Sequence, residues 1–272
     1  MDNPRESRVA TESTFFRKVP MGKRLMKNMN YINPLKWNKK FEYPKTVRGM
    51  VEGLRLYDIN NEKLPSVTTI LGKTQEPEKA AGLAKWRARV GEAEATRITD
   101  QAATRGTAMH SILEHYVLGK NRLDLTNVGQ EAHKMADVVI DKGLSQVNEI
   151  WGSEVALYYP ELYAGATDLV GIYKNAESII DFKQTNKPKR REWVEDYFIQ
   201  LGAYAMAHNY VYQSKIQQGV VLMCSKDGYF QEFIVSNKEF QEYQHKWLKR
   251  VDLYYKNAPK GSVYSTDYKI KK

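Results

Sequence analysis

The chain has 272 residues, 42% of them hydrophobic and 27% charged, which is enough for one sizeable hydrophobic core. A formal charge of +10 favours a polyanionic partner, nucleic acid before anionic membrane, and no run of apolar residues is long enough to read as a membrane span. The single cysteine, Cys224, excludes a disulfide scaffold, a four-cysteine zinc site and a protein-ligated iron–sulfur cluster within one chain.

Residues 1–50 read as a flexible basic arm. They lack the apolar core of a secretory leader, and Asp2, Glu6 and Glu12 are out of place in a transit peptide. A single domain is expected over 51–258, with a basic tail over 259–272. Its first elements are a strand at 53–59, an Asn60-Asn61 turn, and a short helix entered from Pro65 and Ser66. Helices are predicted over 77–103, 105–118 and 129–143, the last two stopped by Gly119 and Gly143. Three strands follow in "EIWGSEVALYY", "YAGATDLVGIY" and "SIIDFKQ", and then a helix over 191–210. A hairpin turning at Asp227-Gly228 leads to a last helix over 237–256, opened by a capping box of Ser236 and Glu239. Helices before and after a strand cluster predict a mixed α/β (α+β) fold, with a central mixed sheet between helices on both faces.

The stretch "GATDLVGIYKNAESIIDFKQT" carries three charges where the pattern reads as a strand pair. A hairpin of 166–173 and 178–184 turning near 175–176 sets Asp168 opposite Lys183 and Val170 opposite Asp181. Asp168, Asp181 and Lys183 then share one end of a half-buried face, provided the register does not slip by one residue. Paired carboxylates suit a hard divalent cation, and a lysine beside them can orient water and screen a phosphate. On spacing alone, solvated strand-end charges fit equally well.

Other residues bear on that choice. His110 and Glu114 lie one turn apart on a helix, and Glu154 opens the strand before the hairpin. On the 191–210 helix, Trp193, Tyr197, Gln200 and Tyr204 fall along one side, as a face that stacks bases or holds a nucleic-acid backbone would require; an amphipathic core helix reads the same way. Lys187, Lys189, Arg190 and Arg191 form a basic loop after the carboxylates, placed to attract a polyanion.

In order, "RGTAMH", "GATD", "DFK" and "QLGAY" resemble the RecB-like branch of the PD-(D/E)XK nuclease superfamily. Within it they are similar to the mitochondrial genome maintenance exonucleases and their phage-encoded relatives, over about residues 60–256. The resemblance implies a restriction-endonuclease-like core and a divalent-metal-dependent DNA exonuclease acting on single-stranded ends. His110, Asp168, Asp181 and the Phe182 carbonyl would hold Mg²⁺ or Mn²⁺, and Lys183 would be the catalytic lysine. Gln200, Tyr204, Arg105 and the basic loop would contact DNA, with Glu114 and Glu154 behind the ligands. No iron–sulfur cluster and no membrane are expected. Because no Gly-rich phosphate loop is present, unwinding would fall to a helicase, polymerase or recombination partner. The expected compartment is the cytoplasm, that of the host cell if phage-encoded, or alternatively the mitochondrion. Two rival readings stay open: a catalytically silent DNA-binding protein on this fold, and a structure-specific endonuclease or nickase.

Overall fold

A computed structural model describes residues 35–51 and 54–258. The elements are β1 (Val47–Val51), β2 (Leu54–Ile59), β3 (Glu62–Pro65), α1 (Val67–Lys73), α2 (Pro77–Val90), α3 (Glu92–Val117), α4 (Asn127–Lys142), β4 (Val147–Tyr159), β5 (Tyr163–Tyr173), β6 (Ala176–Thr185), α5 (Glu195–Tyr212), β7 (Gln218–Ser225), β8 (Phe230–Ser236) and α6 (Asn237–Lys256). A small antiparallel sheet β1-β2-β3 accompanies a five-stranded mixed sheet in the order β4-β5-β6-β7-β8. Among the described strands only β6 and β7 run parallel, and α5 is the crossover between them.

The main sheet lies between two helical layers. Val170, Ile179, Val221 and Val235 face α1, α5 and α6, and bury against Phe198, Leu201, Trp247 and Val251. Leu169, Ile180, Val220 and Leu222 face the other way, onto Met109, Leu113, Met135 and Val139 of α3 and α4. Because both faces are covered, β7 reads as one continuous apolar run, "GVVLMC", instead of an alternation. No described helix is long and apolar enough to cross a membrane.

Several sequence expectations need correction. The helices expected over 77–103 and 105–118 instead break at Gly91, whose φ of 86° no side chain adopts easily. Ser236 makes no side-chain cap and the Glu239 carboxylate pairs with Arg191 instead, so the capping box does not form. The β5–β6 hairpin is tighter than expected. Lys174 and Asn175 take φ of 47° and 66° and close a two-residue turn, which pairs Val170 with Ile179 and Leu169 with Ile180. Every rung moves by two positions along one strand, so the facing of side chains survives while Asp168 no longer lies opposite Lys183.

Within residues 35–50, assigned above to a flexible arm, the segment 36–43 packs onto the body. Trp37 bridges Ile150 at the β4 edge, with main-chain bonds from Asn38 N to Ile150 O and from Ile150 N to Lys36 O, both 2.8 Å. Beyond that bridge Phe41 and Tyr43 pack on Trp151 and His208, and Tyr43 Oη lies 3.1 Å from His208 Nε2. The rest of the expected arm, residues 1–34, and the 259–272 tail lie outside the described residues.

Candidate active site

Leu169–Ile180 is the last hydrogen-bonded rung between β5 and β6, so Asp168 and Asp181 are the next pair, where the ladder opens. On the other side of β5, Ser153 pairs with Leu169 and Val155 with Thr167, which sets Glu154 against Asp168. Three carboxylates thus stand in a row across three neighbouring strands. Like charges directly opposite destabilise a sheet, so such a row needs compensating cations.

Two are supplied by the chain. His110, from α3, brings Nδ1 to 3.2 Å from Asp168 Oδ1, and Lys183 Nζ is in ion-pair contact with Asp181 Oδ2. The Phe182 amide donates to Asp168 Oδ2 at 2.5 Å, so a side chain replaces the missing ladder bond. Asp181 Oδ2, although ion-paired, is buried with no well-directed hydrogen bond. Ligand atoms of His110, Glu154 and Asp168 lie within 4.8 Å of one another. One imidazole nitrogen, converging carboxylates and an under-bonded buried oxygen fit a divalent cation of the magnesium–manganese type.

The charges are strongly coupled. Burial opposes ionisation of Asp168, but the charge and hydrogen bond of His110, Lys183 and the Phe182 amide hold its carboxyl below the usual range. Asp181 is pushed up by burial and by Asp168, against the pull of Lys183. For His110 burial works downward and loses to Asp168, raising the imidazole to about 9. Glu154 rises to about 7, through burial first and then the charge of Asp168; its surface still reaches solvent. The charge of Glu114 adds to that rise, which places Glu114 beside the row.

Glu154 is the residue whose position spacing could not give. Its place is set from the β4–β5 turn, where Tyr159 pairs with Tyr163 and the register runs unbroken to Ser153 and Leu169; a one-residue bulge lies just beyond, between Ile150 and Gly152. Gly152 is required there, because a Cβ would come within 2.7 Å of the Tyr43 ring. Glu154 itself has φ of 51°, an uncommon conformation for a side-chain-bearing residue and the one local sign of a special position.

The other predicted residues divide. Gln200 and Tyr204, expected on the DNA, are buried and bonded to each other at 3.0 Å, with Tyr204 in range of the charges of Asp181 and Asp168. Arg105 is also turned inward, donating to Gln184 Oε1 at 3.1 Å and to Asn186 while pairing with Glu131 at 3.3 Å; it ties α3 to the end of β6 and presents no free guanidinium to a phosphate. Arg191 is half engaged, donating to Ile234 O at 3.0 Å and to Glu239. Lys187, Lys189 and Arg190 are exposed. Tyr197, on the predicted aromatic side of α5, has its ring centroid 4.9 Å from Lys183 Nζ.

A mixed five-stranded sheet between helices, opened at a rung of two aspartates with a lysine two positions on, is the arrangement expected from the resemblance to PD-(D/E)XK nucleases. No family model matches the chain. It is 28% identical to mitochondrial genome maintenance exonuclease 1 of Mus musculus over 209 residues, covering 72% of this chain and 60% of that protein. The proteins of the same name from Xenopus tropicalis and Homo sapiens are 28% and 26% identical, over 72% and 75% of this chain and 58% and 62% of theirs. The chain therefore spans about three fifths of the length of the curated relatives it matches. Among solved structures, a putative exonuclease from Eubacterium rectale aligns at a TM-score of 0.42 and 11% identity, covering 63% of this chain and 76% of that one.

Proposed function

We propose that the chain is a divalent-metal-dependent deoxyribonuclease of the RecB-like branch, hydrolysing phosphodiester bonds at single-stranded DNA ends. The observation that carries this reading is the row of Glu154, Asp168 and Asp181 at the opened rung, with His110 and Lys183 closing around it. His110, Asp168 and Asp181 would hold Mg²⁺ or Mn²⁺, joined by Glu154 and the Phe182 carbonyl. When bound, such an ion activates water and offsets charge developing on a phosphate. Lys183 orients the attacking water and meets the phosphate, its ammonium steadied by Asp181 and the Tyr197 ring. Gln200 and Tyr204 fix the floor of the site from below, and Lys187, Lys189 and Arg190 draw the strand in by its phosphates. Glu114 holds the outer edge of the acidic row.

Duplex DNA would be unwound by a separate helicase, polymerase or recombination partner. The name of the relatives supports the mitochondrial over the cytoplasmic compartment. The test is digestion of end-labelled linear and circular single-stranded DNA with Mg²⁺, Mn²⁺ or chelator. Metal-dependent loss of linear DNA alone is expected. Cutting of circles would make the protein an endonuclease or nickase, and intact DNA in every lane would leave a silent binding fold.

A further inference from the structure

Trp193 is 60% exposed, in a 3₁₀ turn (Arg191–Val194) leading into α5. Single exposed apolar residues are ordinary, so exposure alone means little. Its setting is less ordinary. Trp193 follows the exposed cations Lys187, Lys189 and Arg190 in the chain, and the Arg190 guanidinium lies 5.3 Å from the ring centroid. The loop that presents them is held rigidly. Gln231 clasps Lys189 through both main-chain groups, at 2.7 and 2.8 Å, Thr185 Oγ1 donates to Lys187 O at 2.8 Å, and Trp193 N donates to Arg190 O at 3.1 Å. Trp193 also stands one turn ahead of Tyr197, whose ring lies under Lys183.

We propose that Trp193 is a base-stacking platform of the substrate channel, holding a nucleobase of single-stranded DNA next to the scissile phosphate while the loop cations take its backbone. This rests on the nuclease reading above. A π-face accepts any base, so the subsite grips without selecting sequence, and a duplex, whose bases are already stacked, gains nothing from it. The pinned loop lowers the ordering cost of the complex.

The test is binding of a fluorescein-labelled oligothymidylate, and of the same backbone with abasic sugars, by the full chain in chelator. Trp193→Ala is expected to weaken oligothymidylate about tenfold or more, Trp193→Phe to recover most of the loss, and the abasic strand to bind wild type and Trp193→Ala alike. The salt dependence of binding stays unchanged in Trp193→Ala, because no phosphate contact is lost, and falls by about one ion in Lys189→Gln. Equal binding of oligothymidylate by wild type and Trp193→Ala overturns the platform while metal-dependent digestion by wild type leaves the nuclease reading standing. Wild type that neither binds nor digests DNA overturns both.

Discussion

Lys183 sits at the balance point of the site. It is half-buried, with 18% of its side chain exposed, and keeps its charge because Asp181 and Asp168 face it. Removing the ammonium leaves a buried carboxylate without its cation, so function and local order should suffer together. Lys183→Ala is expected to lower turnover about 10²- to 10³-fold, and Asp181→Asn by about 10³-fold or more, with DNA binding in chelator retained in both. Steady-state digestion rates and anisotropy titrations check this, and wild-type turnover in either variant would remove that residue from the chemistry. At this scale the sequence was informative because aspartate and lysine are poor strand residues, which made 168, 181 and 183 conspicuous. Arg105 shows the opposite case. Nothing local tells a phosphate-binding arginine from one whose partners, Gln184 and Asn186, are brought by a distant strand.

Elements place these residues by a few close contacts. The glycine of "GATD", Gly165, lies against Tyr204 of "QLGAY", where a Cβ would come within 2.6 Å of the ring, so two motifs far apart in the chain are one contact in space. The strap over residues 36–43 works in the same way at the β4 edge, where Tyr43 fills the space beside Gly152 and bonds His208. Burial lowers the His208 imidazole to about 4, with Lys40 adding to the shift. Its neighbours Tyr43 and Tyr212 are both pushed upward and stay neutral in acid, so His208 alone in this cluster changes charge there. The folded value lies below the unfolded value of 6.5, so the unfolded chain binds the proton first. Stability present above pH 6.5 should fall as the pH drops toward 4, by a few kcal/mol at most. Denaturant midpoints of wild type and His208→Gln at neutral and acid pH measure this. A variant that loses as much as wild type would acquit His208. The strands of the main sheet and most helices were legible from period and turn residues, whereas β1 and β3 of the small sheet were not. The bulge and the strap were not, because both are defined only by the strand or ring they meet.

Across the whole molecule the row of carboxylates joins the two helical layers, with His110 arriving from the α3 side and Tyr197 and Tyr204 from α5. A cation bound there should tie the layers together. Saturating Mn²⁺ is expected to raise the melting temperature by several degrees, and chelator to reverse the gain, since an ion that binds only the folded state adds about 2.7 kcal/mol at a hundredfold excess over its dissociation constant. Asp168→Asn should abolish the shift in a thermal melt, and an equal shift in that variant would place the ion elsewhere. The sheet order and its one parallel pair follow from α5 lying between β6 and β7. The opening of the ladder at Asp168 could not be read, since it depends on a side chain taking the Phe182 amide.

The tight turn at Lys174-Asn175 lies at the end of the hairpin away from this rung, six residues from Asp168 along β5, or roughly 20 Å. That separation makes it a natural handle. A biotin or dye introduced at Asn175 would fix the chain to a bead or glass surface with its acidic row pointing outward, a geometry in which the proposed shortening of single strands could be followed molecule by molecule.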